Sequence, residues 1–388
     1  MQDPRAYSTA LGGLIALAAA LGIGRFVYTP ILPPMMQALG LGQAAAGMIA
    51  SANFLGYLLG ALLAAWPRLP GSRRVWLLGC LLLSAATTAA MGGAATMAPF
   101  LLLRFVGGGA SAVVLVLASA MVLESLAEMR RPGLAALHFA GVGIGVAVSA
   151  ILVAALQRAG QNWQLLWIAN GAVALLAVFA VAALMREGSG QNQHARQAAA
   201  QPIDSRLVRL ILAYGLFGFG YVITATFIVA IVRGVPAIRA LEPVIWIMYG
   251  LAAAPSVAIW TRVAGRLGVP AAFALASIVE ACGVLASVAW PSEIGLSLAA
   301  ILVGGTFMGL TALGLIRART LASGDPRRAL ALMTAAFGLG QIIGPSFAGA
   351  LSERLGGFAA PSVVAAAALL IAAALAWENG LLVLRAGQ

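Results

Sequence analysis

Apolar runs of about twenty residues follow one another along nearly the whole chain, separated by short polar breaks rich in arginine, glycine and proline. As helices, runs of that length match the roughly 30 Å hydrocarbon core of a bilayer. Backbone groups in lipid must satisfy their own hydrogen bonds, which leaves helices or closed barrels. A barrel would read as alternating segments of about ten residues, and that alternation is missing. The pattern predicts an all-α integral membrane protein with twelve transmembrane helices, over 8–32, 43–66, 74–94, 98–123, 133–157, 163–185, 207–232, 241–262, 270–290, 295–318, 329–352 and 360–384. From Arg186 to about Ser205 runs the one extended polar stretch, with the composition of a linker. It predicts two units, 1–186 and 207–388, joined by a cytoplasmic connector over 187–206.

The halves repeat. Gly22-Ile23-Gly24-Arg25 matches Gly218-Phe219-Gly220-Tyr221, Gly107-Gly108 matches Gly304-Gly305, and Gly141-Val142-Gly143 matches Gly338-Leu339-Gly340, all at an offset of 196 or 197 residues. Two six-helix bundles in parallel repeat, with a site between them, form a transporter architecture.

Composition narrows the class. Only 9% of the 388 residues are charged and 62% are hydrophobic, which excludes a soluble domain of this length. The net charge of +12 comes from arginine alone, for the chain has no lysine. Those arginines form no single patch for nucleic acid. Along the twelve crossings seventeen fall on one side (Arg68, Arg186, Arg196 and Arg385 among them) and four on the other, namely Arg158, Arg233, Arg239 and Arg354. The positive-inside rule then places both termini in the cytoplasm. The arginine-, alanine- and glycine-rich composition suggests a bacterial inner membrane. The first segment reads as a retained span rather than a signal peptide. Cys80 and Cys282 lie inside apolar runs and read as packed thiols, with no metal-ligand spacing. No nucleophile–base or metal grouping supports an enzyme, no phosphate-binding loop supports ATP-driven transport, and no cofactor is expected.

The chain resembles the major facilitator superfamily over its whole length. Arg104-Phe105-Val106-Gly107-Gly108-Gly109 is similar to the motif of that superfamily's fourth helix, and Gly338-Leu339-Gly340-Gln341-Ile342-Ile343-Gly344-Pro345 to its glycine–proline motif. Arg262-Val263-Ala264-Gly265-Arg266-Leu267-Gly268 resembles its loop motif, of which Trp66–Arg74 is a degenerate copy. More narrowly, Gly22–Pro33 with His138-Phe139-Ala140-Gly141-Val142-Gly143 resembles the YbfB/YjiJ-type branch. The resemblance implies that helices one, four, seven and ten line a central cavity, with alternating access by rocking of the two bundles.

Candidate chemistry starts at Arg25, deep in the first segment. A charge at a helix centre costs about 2.5–3.5 kcal/mol on insertion scales, so it is retained for a partner, a wet cavity or a ligand. A guanidinium is a planar fork suited to carboxylate or phosphate. Arg25 and Arg104 are therefore candidate anion-binding residues; the alternative for Arg25 is a structural arginine tied to backbone carbonyls at a broken helix, and for Arg104 a part in the proton or gating step. Tyr28, Asn53, Tyr57, Phe219, Tyr221, Thr224, Trp246, Tyr249 and Gln341 complete the candidate substrate wall, Asn53 and Tyr57 sharing a helix face. Glu280 is the most deeply placed acid and His138 has an ordinary pKa of about 6.5; both are candidates for proton coupling, against packing roles for each. Gly56-x-x-x-Gly60, Gly141-x-x-x-Gly145 and Gly340-x-x-x-Gly344 read as close helix contacts. These residues predict a monomeric, proton-coupled secondary transporter of a small organic anion. The alternatives are a proton antiporter exporting amphipathic drugs, and a transporter-fold sensor or scaffold.

Overall fold

A computed structural model describes residues 4–66, 70–185, 204–322 and 326–377. Most of the predicted connector, with Arg186, His194 and Arg196, lies outside the described residues, as do Arg68 and Arg385. In chain order the long helices are α1 (Pro4–Leu17), α2 (Tyr28–Leu39), α3 (Gln43–Ala64), α4 (Arg73–Ala90), α5 (Met97–Glu128), α6 (Ala135–Arg158) and α7 (Trp163–Leu184) in the first half. The second half contains α8 (Ser205–Arg233), α9 (Glu242–Ala253), α10 (Ser256–Leu267), α11 (Val269–Ala289), α12 (Glu293–Leu321), α13 (Pro326–Leu355) and α14 (Ala359–Ala376). Eleven spans are long and apolar enough to cross a bilayer, α1 and α2 counting together as the first; α9 and α10, bent by 43°, make the twelfth.

Local chemistry explains the ends. Asn162 Oδ1 accepts from Leu165 N at 3.0 Å and Asp204 Oδ1 from Arg206 N at 2.8 Å, starting α7 and α8 with side-chain caps. Pro255 has no N–H to give and breaks the predicted continuous eighth helix. Ser256 pins the break, donating to Gly305 O at 2.8 Å and accepting from Gly309 N at 2.9 Å.

The first span departs furthest from expectation. It was predicted to end at its prolines, yet α2 continues through Pro33 and Pro34 to Leu39. The irregularity comes earlier, where a π-helical stretch over Ala18–Ile23 leads into a turn over Gly24–Val27 whose backbone stays right-handed. Gly24 N reaches back to Ala19 O at 2.9 Å and Phe26 N to Leu21 O at 3.0 Å, one residue further than an α-helix allows.

Helices within each half approach through backbone. A Cβ on Gly56 would strike the Phe105 carbonyl, one on Gly22 would strike Gly145, and one on Gly340 would strike the Gly215 carbonyl. The repeat is equally visible in space. Gly108 seats against the Asn53 carbonyl and Gly304 against the Tyr249 carbonyl. Thr29 Oγ1 donates at 2.8 Å to Ala225 O, its counterpart 196 positions along, so α2 and α8 cross at the internal two-fold axis.

The halves meet along two seams, α3 with α13 and α6 with α9. The α3/α13 seam runs from Gln43 against Gly349, at the arginine-poor face, to Leu58 against Gly338. Along it Ser51 Oγ donates to Ile342 O at 2.6 Å, Ser346 Oγ to Ser51 Oγ at 2.8 Å, and Ala44 N to the Glu353 carboxylate at 2.8 Å. The second seam sets Gly143 against Gly250 and Ala254.

Candidate functional site

The turn Gly24–Val27 presents carbonyls that its own helix leaves free, and α5 supplies their donor. Arg104 Nη1 donates to Gly24 O at 3.0 Å and Nη2 to Arg25 O at 2.9 Å. Asn53 Nδ2 in turn donates to Arg104 O at 2.9 Å. Tyr28, whose ring lies 5.1 Å beneath the Arg104 guanidinium, donates its hydroxyl to Ala46 O at 2.8 Å. Arg104, Tyr28 and Asn53, expected in the substrate wall, are thus engaged within the first half, where they hold the turn in place.

Arg25 leaves that turn in the other direction. Its side chain is buried, with the guanidinium carbon 4.3 Å from the centre of the Tyr57 ring, 4.6 Å from Phe54 and 5.0 Å from Phe26. Its Nε and Nη2 have no hydrogen-bond partner. Those two nitrogens share one edge of the plane, the side-on pair that a carboxylate bridges with two parallel bonds. Three rings around the cation favour its charge, while the Nε and Nη2 edge stays without a hydrogen-bond partner.

Beyond Arg25 runs a chain of rings that crosses between the halves. Phe26 meets Phe307 edge-on at 5.9 Å between centroids. Phe307 stacks on Tyr221 and on Tyr249, both at 5.6 Å, and Trp246 stacks on Tyr249 at 4.3 Å. Tyr221 also lies parallel to Phe337 at 5.9 Å and accepts a hydrogen bond from Gln341 Nε2. Buried Trp246 Nε1, Tyr249 Oη, Thr224 Oγ1 and Gln341 Oε1 have no hydrogen-bond partner. Buried polar atoms are rarely left so; of these, Trp246 and Tyr249 belong to the ring chain itself and Gln341 is bonded to it through Tyr221. Phe219 stands apart, paired with Phe347 on α13 at 5.5 Å.

Glu280 is fully buried on α11 near Thr306, and neither of its carboxylate oxygens has a hydrogen-bond partner. His138 is equally buried but elsewhere. Its Nε2 lies 3.0 Å from Ser119 Oγ, its ring 4.8 Å from Phe139, and its Nδ1 against Gly13, all inside the first half. Among the described residues no three His, Cys, Asp or Glu side chains gather as metal ligands.

Phe54, Phe307, Phe337 and Thr306 were not anticipated. Phe54 is three residues before Tyr57 and so shares its face, a signal that was available. Nothing in the sequence around Phe307 distinguishes it from a packing or lipid-facing phenylalanine.

Solved structures of similar shape are carriers. A variant of the nucleoside transporter NupG superposes with a TM-score of 0.73 at 16% identity, over 95% of this chain and 98% of its own. A bacterial homologue of the human lysosomal transporter Spinster, inward-facing and occupied, superposes with a TM-score of 0.71 at 18% identity over 97% of each chain. Identities this low speak for the fold. No functionally curated protein matches the sequence. Residues 17–377 match the family described as uncharacterised MFS-type transporter YbfB. The chain belongs to that family of the major facilitator superfamily, and it is a membrane transporter rather than an enzyme.

Proposed function

We propose that this carrier moves a small organic anion across a bacterial inner membrane, coupled to protons, by alternating access. Its moving bodies are 1–186 and 207–388, joined by the cytoplasmic connector 187–206, and it works as a monomer. The single observation behind the anion is the unpaired side-on edge of Arg25 at the boundary between the halves. A buried polar group without a partner costs about 1–3 kcal/mol, and a charged one more; a carboxylate seated on Nε and Nη2 removes that cost. Tyr57, Tyr221, Thr224, Trp246, Tyr249 and Gln341 form the rest of the binding wall. Glu280 carries the proton, being the fully buried acid among the described residues, while His138 serves packing in the first half. The arginine excess on one side supports cytoplasmic termini.

The test is a thermal-shift screen of the purified chain against carboxylates, amines and neutral metabolites at two pH values, repeated with Arg25→Ala. A ligand that binds the folded state raises its unfolding temperature. Stabilisation by carboxylates that disappears in Arg25→Ala supports the reading; equal stabilisation in both proteins refutes it. The ring chain favours a second reading, export of amphipathic compounds with Arg25 as a gating residue. That reading expects resistance to cationic dyes on expression, retained in Arg25→Ala.

A further inference from the structure

We infer that the anion is a singly charged aromatic carboxylate with a hydrogen-bonding substituent on its ring. This rests on the reading of Arg25 given above and specifies the cargo of that site.

The charge follows from counting cations. Among the described residues the buried arginines are Arg25 and Arg104; Arg104 gives both Nη nitrogens to Gly24 O and Arg25 O and keeps a single unpartnered Nε, whereas Arg25 keeps the pair Nε and Nη2. One side-on edge accommodates one carboxylate. A dianion, or a phosphate monoester, would bury its second charge among rings with no cation to meet it, a severe cost. A sugar acid would set several hydroxyls against aromatic faces that satisfy few of them.

The ring follows from what adjoins that edge. A carboxylate bridging Nε and Nη2 sits beside rings, since Phe26, Phe54 and Tyr57 all centre within 5.0 Å of the guanidinium carbon. Phe26 continues the aromatic surroundings into the second half, where Phe307 stands between it and the tyrosines. Phe307 meets its neighbours in edge-on and stacked geometries, the two arrangements that aromatic pairs prefer. A flat ring can join such a chain, whereas a saturated ring of the same size gains only apolar contact.

The substituent follows from the far end. Tyr249 Oη and Trp246 Nε1 are buried without partners on adjacent, stacked rings. A hydroxyl on the cargo, placed away from its carboxylate, gives both a partner.

The experiment measures affinities of the full chain in detergent by calorimetry, using 4-hydroxybenzoate, benzoate, cyclohexanecarboxylate, isophthalate, glucuronate and benzamide. The expected order is 4-hydroxybenzoate, then benzoate, then cyclohexanecarboxylate, each step roughly three- to tenfold, with isophthalate and glucuronate weakest. Phe307→Leu is expected to erase the preference for benzoate over cyclohexanecarboxylate, and Phe307→Tyr to restore it. Tyr249→Phe is expected to erase the preference for the hydroxylated ring. Cyclohexanecarboxylate binding as tightly as benzoate, or glucuronate or isophthalate binding best, overturns the aromatic assignment and leaves the anion site standing. Benzamide matching benzoate, or no carboxylate binding at all, overturns the anion site itself.

Discussion

Two buried arginines of the same half have opposite fates, and the difference lies in which edge of the guanidinium is used. Arg104 spends its end-on fork on two carbonyls of the turn over Gly24–Val27, while Arg25 keeps its side-on pair unpartnered. Arg104→Met should therefore act on folding first. It strips the donors from Gly24 O and Arg25 O, and a loss of about 2–4 kcal/mol is expected, seen as a lower unfolding temperature in detergent. Arg104→Lys should recover only part, because an ammonium contacts as a point rather than a fork; wild-type stability of Arg104→Met would remove the clamp from this account. Glu280→Gln keeps shape and burial but cannot titrate. Its uptake should lose dependence on a pH gradient while cargo binding persists, and a gradient response unchanged from wild type would exclude Glu280 as the proton carrier. Arg25 was legible in the sequence because a charge in an apolar run demands an explanation. Arg104 met the same criterion, yet its partners are carbonyls freed by a turn in another helix. No property of its own segment announces them.

At the scale of elements, alternation of apolar runs and polar breaks located every span, because bilayer thickness sets helix length. Breaks inside spans were harder to place. Pro255 acts at its own position by withholding an N–H, and Ser256 stabilises the bend from the next residue. In the first span the prolines misled. Pro33 and Pro34 sit within a continuous helix that Tyr28 and Thr29 anchor through bonds to Ala46 O and Ala225 O, while glycines upstream allow the turn. Gly22 is the one of these set against another helix's main chain, its Cα hydrogens facing the backbone of Gly145. Gly22→Val forces α6 away and should cost about 1–3 kcal/mol by overpacking. The expected readout is a lowered unfolding temperature together with weakened carboxylate binding, since the turn bearing Arg25 shifts with it. A variant with unchanged stability and affinity would mean that this contact does not position the turn.

For the molecule as a whole, the repeat at an offset of 196 or 197 anticipated the two-fold relation, and Thr29 meeting Ala225 places that axis between α2 and α8. The seams were only half legible. Glycine spacing reveals that a helix packs closely, but the identity of the helix it packs against depends on how the halves are set. Ser51 and Ser346 offer a direct test of whether the α3/α13 seam opens during transport, since their hydroxyls lie 2.8 Å apart. With Cys80→Ser and Cys282→Ser in place, Ser51→Cys and Ser346→Cys together should form a disulfide on oxidation, stop transport, and release it on reduction. Full transport by the cross-linked chain would show that the seam stays shut throughout the cycle. At this seam Gly47 touches the Pro345 carbonyl and Gly349 the Gln43 carbonyl, main chain against main chain. A contact of that kind has no interlocked teeth to disengage. What opening has to part is then the set of hydrogen bonds that Ser51, Ser346 and Ala44 make across it, and Ser51→Ala should speed turnover in reconstituted vesicles.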